Sequence, residues 1–386
     1  MDEKITVWLN SYKDKLSDRD RILLNRAADT LEENIWNGES PWYPYRCIRP
    51  FRHMDNMHGI WNWDTAFHAI TVSRWDTSLA QECLEGFMIF QLPDGMFPDV
   101  IWANGLRELR FGKPPVLASA CEKVYKRSGD KLFLKRAYSR LLSYESFMCK
   151  KRKFIGMFYY DASSENESEY DRCVRFESGW DNSVRWDNPC VNYWPIDLNC
   201  FMVMMYRSMQ FISNELHDFE KINEWKQKET ELTELINKNL WNDEIQAYTD
   251  TNRLTLRKSA VLTPASFMPL YIGIAPQSYA ECMNKHAESS EEFYPGMPTV
   301  AYNSPEYSRN YWRGPTWLNV AYFAAKGLKN YGFSVSEDIK EKILNMVDKN
   351  KDAIYENYDS VTEEGLNARD FSWSACFTVE FILGWQ

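Results

Sequence analysis

PIDLNCFMVMMYRSMQFISNELHDFEKINEWKQKETELTELINKNL, residues 195–240, is the clearest helical hairpin in the sequence. Apolar residues recur at intervals of three and four on both sides of His217, which predicts two helices, 195–214 and 217–240. Because only a few residues separate these helices, we expect them to pack antiparallel. Pro195 suits the first turn of the first helix, and a long connection, residues 152–194, precedes it.

The same pattern extends along the chain. It predicts helices at roughly 18–36, 64–74, 76–91, 114–128, 131–151, 195–214, 217–240, 263–271, 276–287, 315–330, 335–350 and 372–384, with few convincing strands. Short turns alternate with long connections at about 37–63, 92–113, 152–194, 241–262, 288–314 and 351–371. Helices joined in this way place every short turn at one end and every long loop at the other. We therefore predict an all-α fold, an (α/α)6 toroid or barrel formed by a single domain, residues 1–386, with its functional site among the long loops of one face.

The long loops are rich in Trp, Tyr and Pro, so their composition does not predict disorder. Loops of this length in a compact domain are usually functional. The acidic, serine-rich stretch from Ser163 to Glu169 is the exception, and we expect it to be a mobile loop tip.

The 386-residue chain contains 16 Trp, 22 Tyr and 21 Phe. This aromatic content is equally consistent with a bulky core and with a wet cleft in which flat rings pack on the faces of sugars. The net charge of −10, without any basic run, argues against a nucleic-acid partner.

Nine cysteines are scattered without CxxC spacing, which argues against a disulfide framework and a structural zinc site. The start, MDEKITVWLN, lacks the basic and apolar regions of a signal peptide. Because there is no apolar run of about 18 residues, we predict no membrane association and a cytoplasmic location.

The third long loop contains FESGWDNSVRWD, residues 176–187, with three carboxylates, two tryptophans and an arginine. Trp180 next to Asp181 would partly desolvate the carboxyl group and raise its pKa, as a general acid requires. The alternative is a solvated loop whose arginine and aspartates pair at the surface. The candidate residues here are Trp180, Asp181, Arg185 and Trp186, and Glu177 and Asp187 remain alternatives to Asp181.

Four other long loops also combine carboxylates with aromatic residues. Asp64 could bind a pair of sugar hydroxyls or simply cap a helix. Arg313 could hold a carboxylate in place, bind a substrate anion or only stack on tryptophan. Glu356, between two tyrosines, is a better candidate than Glu363 or Glu364, which resemble turn surface. The candidates from these loops are Trp63, Asp64, Phe97, Asp99, Tyr311, Trp312, Arg313, Trp317, Glu356 and Trp373.

Two carboxyl groups facing each other across a bond are what glycoside hydrolysis requires. One protonates the leaving oxygen, and in an inverting enzyme the other activates a water molecule on the opposite side. A toroid can supply such a pair from loops that are distant in sequence but share one mouth. Spacing alone leaves open which carboxylates form the pair.

Five motifs resemble those of glycoside hydrolase family 63 and its trehalase relatives: WNWDTAFHA, DGMFP, SGWDNS, YWRGPTW and ENY followed by FSWSA. They occur in the order of that family and cover roughly residues 58–384. The resemblance implies an (α/α)6 toroid, hydrolysis of an α-glucoside or α-mannoside, and no metal or cofactor in the chemical step. It also implies that Asp181 is the general acid and Glu356 the general base, with Trp63, Asp64 and residues 311–313 around the sugar.

The large members of that family carry a further β-rich domain, for which this chain has no room. Its compactness resembles the short bacterial members that hydrolyse glucosylglycerate or mannosylglycerate. Arg172, Arg175 and Arg185 could receive such an anionic aglycone or could equally be surface charges. The sugar, the linkage and the oligomeric state stay open.

Two other classes of protein share these features. A sugar epimerase on the same toroid would use histidines for proton transfer, and His53, His58 and His68 lie near the predicted mouth. These three cluster in one stretch instead of facing each other, which disfavours an epimerase. A noncatalytic carbohydrate-binding protein would have the aromatic cleft but would not need the two carboxyl groups.

Overall fold

The computed structural model describes residues 2–38, 43–51, 59–164 and 166–385. These residues form fourteen α-helices, α1 Glu3–Asn10, α2 Asp18–Glu33, α3 Asn62–Val72, α4 Thr77–Met88, α5 Leu117–Ser128, α6 Lys131–Lys151, α7 Glu167–Ser178, α8 Ile196–Glu215, α9 Phe219–Asn239, α10 Met268–Tyr271, α11 Gln277–Glu288, α12 Leu318–Asn330, α13 Val335–Lys349 and α14 Ser372–Leu383. A 3-10 turn, Pro264–Phe267, leads directly into α10. All twelve predicted segments are helical, with ends within three residues of the expected positions.

Six of the helices form a closed inner ring. Each contacts the next in the order α3, α5, α8, α10, α12 and α14, and α14 returns to contact α3. The outer helices pack on this ring as antiparallel partners, for example α4 on α3, α9 on α8, and α2 on α14. The prediction of an all-α (α/α)6 toroid is therefore confirmed.

Burial distinguishes the two layers. The inner helix α14, SWSACFTVEFIL, is buried from Ser372 to Val379 and again at Phe381 and Ile382, whereas the outer helix α9 buries only Trp225, Leu232 and Ile236. A helix that is apolar all round must be surrounded by other elements, while an amphipathic one can face water on one side. The same difference in pattern places α14 inside the ring and α9 outside it.

All the short connections, residues 73–76, 129–130, 216–218, 272–276 and 331–334, follow the carboxyl ends of inner helices. The long loops therefore meet at the other end of the ring, where the inner helices begin. The loops contain short antiparallel strand pairs: β1 Ile35–Trp36 with β2 Cys47–Ile48, β3 Gly59–Trp61 with β4 Val100–Trp102, β5 Lys153–Phe154 with β6 Met157–Phe158, β7 Tyr193–Trp194 with β10 Thr251–Asn252, β8 Trp241–Asn242 with β9 Ala247–Tyr248, and β11 Tyr355–Tyr358 with β12 Gly365–Arg369.

Two helices were not predicted. Helix α7 begins at Glu167, within the stretch from Ser163 to Glu169 that we expected to be a mobile loop tip, and Asn166 caps it by accepting hydrogen bonds from the backbone N–H groups of Ser168 and Glu169. Half of the residues in its sequence, ESEYDRCVRFES, are charged, and it gives a weak apolar pattern. Helix α1 packs on α2 outside the ring. None of the helices in the described ranges is long and apolar enough to cross a membrane.

Candidate active site

A cavity of about 270 Å³ lies at the mouth of the ring, where α3, α12 and α14 begin. It collects residues from loops that are far apart in sequence, as the alternation of loop lengths predicts. Its lining residues are Pro50, Phe51, Trp61, Trp63, Asp64, Lys113, Gly179, Asp181, Tyr311, Trp312, Trp317, Glu356, Ala368, Phe371 and Trp373.

Asp181 reaches the cavity because α7 ends sharply. Gly179 terminates the helix with a left-handed backbone, φ +76°, and its N–H donates to the carbonyl of Phe176. The glycine also lies against Trp63, since an added Cβ would stand 2.3 Å from the indole Cη2. Only glycine allows both this turn and this contact, so it sets the position of the aspartate that follows.

The other two carboxylates of the loop are engaged elsewhere. Glu177 is buried and accepts two hydrogen bonds from Arg152 Nε, at 3.0 and 3.1 Å, and a third from Arg152 Nη2 at 2.9 Å. Asp187 is exposed and binds both Nη atoms of Arg313, at 2.7 and 2.9 Å. Asp181 is therefore the carboxylate of this loop that lines the cavity.

Glu356 enters the cavity from β11. The register between β11 and β12 shifts between Tyr355 and Asn357, and a bulge of this kind redirects the side chain at which it occurs. Tyr311 donates its hydroxyl to Glu356 Oε1 at 2.9 Å, and the N–H of Ala368 donates to Oε2 at 3.2 Å. Glu364, the other acidic candidate of this loop, is exposed and binds Arg309.

The two carboxyl groups have different electrostatic surroundings. Burial raises the pKa of Asp181, and the nearby ammonium of Lys113 opposes this rise. Burial also raises the pKa of Glu356, the charge of Asp181 adds to the rise, and the hydrogen bonds from Ala368 and Tyr311 oppose it. Donors directed at both oxygens of Glu356 favour its ionised form.

Two further carboxyl groups share the cation of Lys113. Burial raises the pKa of both Asp64 and Asp99 to about 7, and the charge of Lys113 opposes each shift. The ammonium lies 3.4 Å from Asp99 Oδ1 and 5.7 Å from the centroid of the Trp63 ring. One lysine facing three acids cannot neutralise them all, which favours retention of protons within this cluster.

Aromatic rings form the walls of the cavity. Trp312 and Trp317 stack with ring centroids 3.8 Å apart, and Trp373 lies edge-on to Trp63 at 4.9 Å. Tyr311 has a left-handed backbone, φ 54°, and its carbonyl accepts a hydrogen bond from Trp317 Nε1 at 3.0 Å. Such strain in a non-glycine residue is typical of functional sites.

Comparison with known proteins identifies the family. The model of the mannosylglycerate hydrolase MGH1-like glycoside hydrolase domain matches residues 57–374. The chain belongs to this family. It is a glycoside hydrolase, and among its relatives are mannosylglycerate hydrolases from Thermus thermophilus, 25% identical over 83% of this chain and 94% of the relative, and from Rubrobacter radiotolerans, 23% identical over 94% and 97%.

Solved structures agree on the fold. The family 63 mannosylglycerate hydrolase from Thermus thermophilus, determined in complex with glucose, superimposes with a TM-score of 0.79 at 21% identity. The superposition covers 94% of this chain and the whole of that one.

Eight of the fourteen predicted site residues line the cavity of this glycoside hydrolase: Trp63, Asp64, Asp181, Tyr311, Trp312, Trp317, Glu356 and Trp373. The other six, Phe97, Asp99, Trp180, Arg185, Trp186 and Arg313, lie outside its lining. Phe97 packs on Tyr144, and Asp99 forms an ion pair with Lys113, which itself lines the cavity. Trp180 and Trp186 are buried with the guanidinium of Arg185 near both rings, 4.9 and 4.5 Å from their centroids.

None of the four candidate arginines is among the residues that line the cavity. Arg185 is buried and binds Asp197 and Asp250, each through two hydrogen bonds of 2.8–2.9 Å, so its donors are used within the protein. Arg313 is committed to Asp187. Arg172 and Arg175 pair with Glu169 and Asp171 along α7.

Lys113 is the main residue that the sequence analysis missed. Lys113 precedes Pro114 and Pro115 at the mouth end of α5. Its position just before an inner helix could have predicted that it lies at the mouth. Trp61 and Phe371, each just before an inner helix, carried the same signal.

The histidines do not support an epimerase. His68 is buried in α3, its Nε2 lies 2.6 Å from Ser372 Oγ, and burial lowers its pKa to about 3. Among residues 59–164 and 166–385, no histidine lines the cavity. His53 and His58 lie outside the described residues.

Replacing Gly179 by Ala is expected to lower kcat/KM by about 10²-fold, because the new methyl group must displace Trp63 from the cavity wall, and misplacement by about 1 Å has effects of this size. Gly129→Ala is the matched control, since Gly129 has a similar φ of +67° but open space around its Cβ. The measurement is steady-state kinetics beside thermal unfolding. Equal activities of the two variants would contradict the role given to the contact with Trp63.

Proposed function

We propose that this glycoside hydrolase cleaves a small α-linked glucoside or mannoside with inversion, using Asp181 as general acid and Glu356 as general base. The observation that carries the proposal is that both carboxyl groups line one cavity with aromatic walls. Loops 175 residues apart in the chain supply the two carboxyl groups that glycoside hydrolysis requires.

Hydrogen bonding supports this division of roles. Each oxygen of Glu356 accepts one donor, so each keeps a second lone pair with which to accept a proton from water. Among the described residues, the charged form of Asp181 is stabilised by its own backbone N–H and by the charge of Lys113, against its burial. The group with fewer donors is the one that retains its proton and can give it to a leaving oxygen.

Asp64 and Trp63 support a sugar subsite between these groups. Asp64 is in the first turn of α3, where the helix dipole favours a carboxylate, and its side chain lines the cavity. Its oxygens can accept hydrogen bonds from neighbouring sugar hydroxyls, while the tryptophans cover the apolar face of the ring.

The size of the cavity and the relatives favour a small substrate. About 270 Å³ is just below the usual range for small-molecule sites, which suits one sugar and a short aglycone. Two relatives that span nearly the whole chain are mannosylglycerate hydrolases, so mannosylglycerate is the first substrate to test and glucosylglycerate the second.

Product stereochemistry tests the mechanism. We expect proton NMR of the fresh product to show the sugar of mannosylglycerate or glucosylglycerate released first as the β-anomer, with the α-anomer appearing only by mutarotation. Trehalose, kojibiose and nigerose complete the substrate screen, and spontaneous mutarotation of the free sugar is the reference. Initial release of the α-anomer from either glycerate would exclude inversion, and failure to cleave all five substrates would exclude the proposed substrate class.

A further inference from the structure

A second cavity lies on the ring axis at the end opposite the catalytic cavity. It has a mouth of about 530 Å³ and a small inner part of about 40 Å³, which share Ile70, Ser119, Lys123, Met204, Tyr271, Tyr322 and Glu380. We call the two parts together the rear cavity. It lies where the inner helices end, so it is distinct from the mouth formed by the long loops.

The rear cavity is strongly basic in a protein of net charge −10. Its mouth is lined by Arg74, Lys123, Lys126, Arg127, Arg207 and Lys326, with Glu380 as the acidic residue. Basic side chains are common at the carboxyl ends of helices, because the helix dipole attracts cations there. The basic lining therefore points to a ligand only if one of these side chains has no partner within the protein.

Most of these cations are used within the protein. Arg127 donates to the carbonyl of Ile70 at 2.8 Å, and Arg74 donates to Glu380 at 2.7 Å. Arg207 donates to Glu229 at 2.6 Å and to the carbonyl of Ile272. Lys126 donates to Glu122, and Lys326 to the carbonyl of Trp385.

Lys123 is different. It lines both parts of the rear cavity, and in the described portion of the chain its ammonium has no hydrogen-bond or ion-pair partner. Burial lowers the pKa of Lys123, and Glu380 only partly opposes this effect. Lys123 is partly buried, so an ammonium without a partner is unfavourable there, and a bound anion would relieve that cost.

The inner part of the rear cavity is apolar. Phe67, Phe201, Phe323 and Phe377 line it together with Val116. The Phe67 ring also lies 5.9 Å from Trp63 and 6.0 Å from Trp373, which line the catalytic cavity. Two layers of aromatic rings in contact, Phe67 on one side and the two tryptophans on the other, therefore separate the two cavities here.

We propose that the rear cavity binds a small organic anion, with an apolar body on the phenylalanine floor and an anionic group on the ammonium of Lys123. The two halves of the cavity match the two halves of such a ligand. The site is independent of the catalytic carboxyl groups and of the sugar that they process.

Phenyl phosphate is a suitable probe, since it joins an aromatic ring to an anion. With [methyl-13C]methionine protein, titration should give a saturable shift of the Met204 methyl signal, which is assigned by Met204→Leu. Lys123→Met should weaken binding by at least about tenfold, the effect of losing a hydrogen bond to a charged group. Inorganic phosphate and benzyl alcohol, which each carry half of the ligand, should bind at least tenfold more weakly than phenyl phosphate.

Two controls make the result decisive. Lys285→Met removes the same charge from an exposed position on α11 and should leave the affinity unchanged. Ser119→Phe fills the cavity while retaining Lys123, and it should abolish the Met204 shift. The proposal is overturned if Met204 shows no saturable shift, if Lys123→Met binds like Lys285→Met, or if Ser119→Phe binds like the wild type.

Discussion

Replacement of Asp181 by Asn is expected to lower kcat by about 10²–10⁴-fold or more on a glycoside with a poor leaving group. Asn has nearly the same shape as Asp but has no carboxyl proton to give to the departing oxygen. The loss should be much smaller on an aryl α-glycoside whose phenol leaves without protonation. Steady-state kinetics with both types of substrate separate the loss of acid catalysis from damage to binding.

The pH profile gives a second readout for the same variant. Asp181 acts in its protonated form, and burial raises its pKa, so the wild-type kcat/KM should fall as pH increases through that pKa. The variant should lack this alkaline limb. Asp187→Asn, in the same loop but exposed and paired with Arg313, is the matched control and should keep both the rate and the limb. Near-normal turnover of Asp181→Asn would show that another group is the acid.

Stability should not explain the loss. A carboxyl group whose pKa is higher in the folded than in the unfolded protein destabilises the fold at pH values above its unfolded pKa, because ionisation is easier after unfolding. Removing Asp181 should therefore leave Tm at pH 7 unchanged or raised. A marked fall in Tm would mean that the variant also disturbs packing.

The ring of inner and outer helices could be predicted from the sequence, for two physical reasons. Inner and outer helices differ in how completely they are buried, and the apolar spacing in the sequence predicts that difference for α8, α9 and α14. The alternation of short and long loops predicts which end of each helix faces the mouth. The apolar pattern of helix α7 is weaker, because the helix has many charged residues and buries only Cys173, Val174, Glu177 and Ser178.

Side-chain partners were harder to predict than side-chain location. Arg185 was a candidate for binding substrate because its two partners, Asp197 and Asp250, are 12 and 65 residues away in the chain. Residue spacing does not reveal such pairing. The same applies to Lys113, whose significance comes from Asp99 and from the tertiary approach of Asp64 and Asp181.

Replacement of Glu356 by Gln is expected to abolish turnover to the same extent, about 10²–10⁴-fold or more, on every substrate, including aryl glycosides. The reason is that water must lose a proton whatever the leaving group is, and Gln cannot accept one. This independence from the leaving group distinguishes the base variant from the acid variant. The hydrogen bond that Tyr311 donates should hold the new amide side chain in place, so sugar binding should persist.

Azide tests the assignment directly, since it is a nucleophile that needs no proton removed. In Glu356→Gln, azide should restore cleavage of the α-glycoside and give the β-glycosyl azide, identified by NMR. Glu364→Gln is the control, because Glu364 lies in the same loop but is exposed and binds Arg309, and it should retain full activity without azide. Near-normal hydrolysis by Glu356→Gln would show that this glutamate is not the base, and an α-glycosyl azide would contradict attack from the face that Glu356 serves.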